Sequence, residues 1–137
     1  MKKIFFLILF CNLCFAPPFF TYSHKFILKK DEKVRVEIIE AGFENQKRYF
    51  DFSWTLFDNT NIIIHSKYNK FPRQLVLSLR RNLNWAIQTL VPDYKNPQVD
   101  RARLILEFSD FKKGKATFNV YIEDKDSRIS VRFLQNK

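Results

Sequence analysis

Alternation with a period of two runs through most of this chain, and it restricts the fold more than any other feature. In "KVRVEII", Val34, Val36 and Ile38 fall on one side, with Arg35 and Glu37 on the other. In "YFDFSWTLF", Phe50, Phe52, Trp54 and Leu56 share a side, with Tyr49, Asp51, Ser53 and Thr55 opposite. Successive side chains of a strand point to opposite faces, so these stretches predict strands with one buried face. "DNTN" at 58–61 reads as a turn and "IIIHSK" as a third strand, while "EAGFENQK" links the first two. The pattern returns late in the chain. Ala102, Leu104, Leu106 and Phe108 form one apolar row, Ala116, Phe118, Val120 and Ile122 a second, and Ile129, Val131 and Phe133 a third. "DFKKGK" and "EDKDS" separate them as turns, with Gly114 free to take a positive φ.

Between the two sets the period changes. Leu75, Val76, Leu79, Leu83, Ala86, Ile87 and Leu90 follow helical spacing and fall within an arc of about 120°. Pro72 suits a first helical turn, and Pro92 would stop the helix. The spacing therefore predicts one amphipathic helix over residues 72–91. The order is βββ-α-βββ, and short connections make each triplet of strands an antiparallel meander. The expected fold class is α+β: a two-layer domain with an antiparallel sheet of five or six strands, the helix on one face and the other face wet. Phe52, Trp54, Leu79, Leu83, Leu106, Phe118 and Val131 should be buried, and truncating Leu83 to Ala should cost roughly 2–5 kcal/mol.

The N-terminus carries a different signal. Lys2 and Lys3 precede an apolar run from Ile4 to Ala16, broken only by Asn12, and Pro17 and Pro18 follow. A charged start, a short apolar stretch and small residues beyond it make up a secretory signal peptide. The run is shorter than the roughly 20 residues a membrane-spanning helix needs, so no stable transmembrane anchor is expected. Cys11 and Cys14 have the C-x-x-C spacing of a redox or zinc site, but they lie inside this leader and would leave with it. Small residues at Thr21 and Ser23 favour cleavage after Ser23; the alternative, after Ala16, would place Pro17 next to the cut. The chain thus divides into a leader over 1–23 and one exported domain over 24–137, in a periplasm or outside the cell.

That domain has no cysteine, so disulfides cannot support it. At 46% hydrophobic and 17% aromatic residues, the chain has enough apolar surface to fold without them. The glycine total of two leaves no loop able to cradle a nucleotide phosphate. Removing the leader lowers the formal charge of +10 by two lysines, and the remainder still concentrates anions near the surface. Outside the cytoplasm those anions are lipid headgroups and acidic glycans more than nucleic acid.

Catalytic and metal-binding groups are sparse. His65 has no partner at zinc-ligand spacing, and Ser66, its neighbour on a strand, points to the opposite face. Asp124 and Asp126 flank Lys125 in a turn, too few oxygens for calcium. Asp51 reads as a solvated strand acid. No cofactor, metal site or catalytic set is expected.

Two surface features stand out. Arg103, Lys115, Arg128 and Arg132 alternate outward with Thr117, Asn119 and Tyr121, which suggests an anion-binding sheet face. Leu77, Arg81 and Trp85 fall outside the apolar arc at i, i+4 and i+8, which suggests a partner-contact stripe on the helix. The expected role is a non-catalytic binding or accessory protein of the cell envelope, in contact with an envelope protein or an anionic lipid or glycan. The alternatives are a small enzyme using His65 and a polyanion or nucleic-acid binder using the basic face.

Overall fold

The computed structural model describes residues 20–91 and 101–135. Cys11 and Cys14, and almost all of the expected leader, lie outside them, as does most of the "VPDYKNPQVD" segment.

Within the described residues the chain is all β. Nine strands follow in order: β1 (Tyr22–Lys29), β2 (Val34–Glu40), β3 (Lys47–Phe57), β4 (Asn61–Tyr68), β5 (Phe71–Ser78), β6 (Trp85–Val91), β7 (Ala102–Lys112), β8 (Lys115–Glu123) and β9 (Ile129–Gln135). They form two antiparallel sheets, one ordered β1-β8-β7-β6 and the other β5-β4-β3-β2-β9. The chain crosses between the sheets at the β1–β2, β5–β6 and β8–β9 links.

The inner faces carry the alternating apolar rows, packed as a sandwich. Phe26, Phe108 and Phe118 of the four-stranded sheet and Phe52 and Ile64 of the five-stranded sheet are fully or almost fully buried. Phe52 meets Phe26 and Phe118 across the core edge-to-face, with centroids 5.9 and 5.4 Å apart, a favoured geometry for aromatic pairs. The Trp54 indole N–H donates to the Leu28 carbonyl at 3.0 Å, so it too joins the sheets.

Two bulges refine the pattern. A register shift in β3 between Trp54 and Leu56 turns Leu56 to the outside and Phe57 to the inside. A shift in β7 between Phe108 and Asp110 turns Phe111 inward. Phe57 and Phe111 stack with centroids 4.0 Å apart, closing that end of the core. Each bulge adds a residue that reverses the in–out phase beyond it. For this reason the expected inward row ending at Leu56 is corrected: Leu56 is 55% exposed.

The α+β expectation is overturned. Residues 72–91 are not a helix; they supply β5, a corner and β6. Leu75 and Leu77 face inward beside Ile64 and Ile62, and Ala86 and Leu90 do so beyond the corner. Two alternating runs offset by a short corner place apolar residues at nearly the spacing of a helical stripe, which is why periodicity misleads here. The corner is tight: the Leu83 N–H donates to the Arg80 carbonyl at 3.1 Å, and Asn82 takes a φ of 69°. Pro72 is tolerated because β5 is an edge strand. Leu79 and Leu83, expected in the core, are 41% and 60% exposed.

The second sheet covers the face assigned to the helix, so the expected single sheet of five or six strands is replaced by sheets of four and five. β9 does not return beside β8; it crosses over and pairs with β2. The segment from Tyr22, not expected as a strand, is β1, paired along its whole length with β8.

Candidate contact surface

The expected sites are dispersed by this architecture. Arg103 lies on the outer face of the four-stranded sheet, with its guanidinium 2.5 Å from the Glu123 carboxylate. Lys115 lies at the start of β8, opposite Lys29 of β1. Arg128 is half-buried in the β8–β9 link, where its carbonyl accepts from the Ala41 N–H at 2.7 Å. Arg132 is on the outer face of the other sheet, 3.8 Å from Glu37. The four therefore do not form one basic face: β9 changes sheets, and its outward arginine goes with it.

The helical stripe dissolves for the same reason as the helix. Leu77 is buried between the sheets, Arg81 is in the corner, and Trp85 is 48% exposed on the outside of β6. Strand β1 does not cover Trp85, since β1 and β6 are opposite edges of one sheet.

His65 is exposed on the outside of β4, between Ser53 and Gln74 on neighbouring strands, and Ser66 points into the sandwich. Asp51 is bidentate to Arg35 at 2.7 and 2.8 Å, and the Arg35 guanidinium lies 4.5 Å above the Tyr49 ring. Asp124 is buried, not solvated; its carboxylate accepts from the Ile129 N–H at 2.9 Å and shapes the link to β9. Among the described residues, no group of three or more His, Cys, Asp and Glu is placed to hold a metal ion.

Surface apolarity is far from evenly spread. Among the described residues ten large hydrophobics are exposed, and six of them come from the single stretch 71–87: Phe71 at the far end of β5, and Val76, Leu79, Leu83, Trp85 and Ile87 at or near the corner. That stretch contains the two edge strands on the same side of the sandwich and the corner that joins them. The apolar surface continues from it onto both sheets. Outside the five-stranded sheet, Val76 is in register with Ile63, and Ile63 with Leu56. Outside the four-stranded sheet, Ile87 is in register with Ile105 and then Tyr121.

Beside Trp85 stands a fixed carboxylate. Glu107 accepts from Asn84 Nδ2 at 3.1 Å, Asn119 Nδ2 at 3.0 Å and the Tyr121 hydroxyl at 3.0 Å. Burial, then the hydrogen bond to Glu107, holds the Tyr121 phenol above its ordinary range. These bonds hold the side chains flanking Trp85 in one arrangement.

The sequence contained a cue to this surface. Within "WAIQTLV", Trp85, Ile87 and Thr89 alternate with Ala86, Gln88 and Leu90, and "RRN" before it is a turn signal.

No protein-family model, no curated protein and no solved structure matches this chain.

Proposed function

We propose that the protein is a non-catalytic binding module of the cell envelope and that the apolar corner at residues 76–87 is its contact surface. The observation that carries this reading is the concentration of five exposed large hydrophobics, Val76, Leu79, Leu83, Trp85 and Ile87, at and beside that corner. Contiguous exposed apolar surface is costly in water and is characteristic of interaction sites. Trp85 and the neighbouring Arg80 and Arg81 are of the residue types that dominate binding energy at interfaces. The leader-like N-terminus supports placement in the envelope. His65 has Ser53 and Gln74 as its partners in strand register and no carboxylate directly opposite, which supports a binding role over a catalytic one.

A photoreactive residue introduced at Val76, Leu83 or Ile87 tests the reading in intact cells. Crosslinks are expected from those positions and not from Lys67 or Asp126, which are exposed elsewhere. Equal labelling from all five positions, or none from the first three, would contradict it.

A further inference from the structure

We infer that the corner's partner is an anionic lipid surface, met by the end of the sandwich that carries the β5–β6 link. This rests on the corner being a contact surface and adds the chemistry of what it touches. Four links gather at this end. The Leu79 N–H donates to the Thr60 carbonyl at 2.9 Å, tying the β5–β6 corner to the β3–β4 turn. Phe57 stacks on Phe111, tying that turn to the β7–β8 hairpin. The Lys29–Lys115 register ties the hairpin to the β1–β2 link.

The charge at this end is strongly positive. The corner contributes Arg80 and Arg81, the hairpin Lys112, Lys113 and Lys115, and the β1–β2 link Lys29, Lys30 and Lys33. Against these eight cations stand four carboxylates, Asp31, Glu32, Asp58 and Asp110. At the opposite end, among the described residues of the links at 40–48, 68–71 and 123–128 and at Arg101, six cations face five carboxylates. The excess is therefore local to the end that carries Leu79 and Leu83.

Exposed leucines and a tryptophan surrounded by lysine and arginine suit a bilayer interface. The apolar side chains enter the boundary of the acyl chains, the indole sits at headgroup depth and the cations meet lipid phosphates. Each basic residue near an anionic leaflet strengthens attachment, and the attraction fades within a Debye length. A protein partner would use the apolar corner but would not require the lysines of the other two links. The charge complementarity around the leucines favours lipid.

The test is co-sedimentation of the intact exported domain with vesicles of phosphatidylcholine, with and without phosphatidylglycerol. Binding is expected to the anionic vesicles, weakening as salt rises. Trp54 is buried, so a blue shift in emission on binding reports Trp85, and Trp85→Phe should abolish it. Neutralising Arg80 and Arg81 to Gln should weaken partitioning about thirtyfold. Leu79→Ser with Leu83→Ser should weaken it about tenfold, with the thermal midpoint of each exposed variant checked for an intact fold.

Protein left in solution by both kinds of vesicle overturns the lipid assignment; the crosslinking pattern then decides the contact surface by itself. Anionic-vesicle binding that ignores the two leucine substitutions and leaves Trp85 emission unmoved also overturns it, because charge alone would then be acting and the corner would not be the site.

Discussion

Leu77 and Leu83 lie six residues apart, and the sandwich assigns them opposite energetics. Leu77 is 4% exposed and packs beside Ile62 inside the core, whereas Leu83 is 60% exposed at the corner. Truncating a buried leucine to alanine removes its transfer free energy and leaves a cavity, at about 2–5 kcal/mol. β5 is an edge strand with room to relax, so Leu77→Ala should fall near the lower part of that range, at about 2–3 kcal/mol. For Leu83 little contact is lost: burying a whole leucine is worth about 1.5–3 kcal/mol, and most of this side chain is already in water. Leu83→Ala should cost about 0.5 kcal/mol. At about 4 °C per kcal/mol for a domain of this size, the thermal midpoints should drop by about 10 °C and about 2 °C. Urea unfolding of both variants, fitted with a common slope, gives the same comparison isothermally. A packed helix over 72–91 reverses the order, with Leu83 costly. A loss of 2 kcal/mol or more at Leu83 with a neutral Leu77→Ala would refute the sandwich assignment.

Three further outcomes are expected. Trp54→Phe should destabilise by about 2–3 kcal/mol in urea, because it leaves the buried Leu28 carbonyl without its donor and opens space beside Phe111. The Tyr68 and Tyr121 phenols are held above their ordinary range, both chiefly by burial. The folded state therefore keeps these protons longer than the unfolded chain. Stability from this source is complete below the ordinary phenol value near 10 and is lost as pH rises through the raised one; Tyr121→Phe should flatten the alkaline loss in a pH series of thermal midpoints. For the N-terminus, cleavage after Ser23 would strip off Thr21, whose N–H donates to the Ile122 carbonyl at 2.8 Å, and Tyr22, whose hydroxyl donates to the Ile129 carbonyl at 3.2 Å. N-terminal sequencing of exported protein should find the start at or before Phe20, in keeping with a cut after Ala16.

Six strands were legible because each combines an apolar row with polar partners, and burial of one face leaves that record in the sequence. β2, β3, β4, β7, β8 and β9 all lie where alternation puts them. β1 was missed because Lys25, Lys29 and the exposed Ile27 blur a short run in which Phe26 and Leu28 alone of its side chains are fully buried. β5 and β6 were misread because their apolar residues are not all internal. When an edge strand exposes Val76 or Ile87, apolar letters no longer mark the core, and the combined pattern of both faces resembles a helical stripe. The same exposure that defeats the periodicity argument defines the candidate surface. Arg103, Lys115 and Arg132 of the expected basic face are exposed, whereas Arg128 is half-buried in the β8–β9 link, and the division of these residues between two sheets could not be read locally. It depends on which partner β9 selects, and β9 pairs with β2, whose residues lie far away in the sequence.

The conformation of residues 71–91 bears most directly on the whole picture, since the exposed corner exists only if this segment is two edge strands. Backbone NMR of the folded domain decides it. Extended Cα shifts are expected over 71–78 and 85–90, together with cross-strand contacts from Val76 to Ile63 and from Ala86 to Leu106. Helical shifts with sequential amide–amide contacts running unbroken from Arg73 through Leu90 would contradict it.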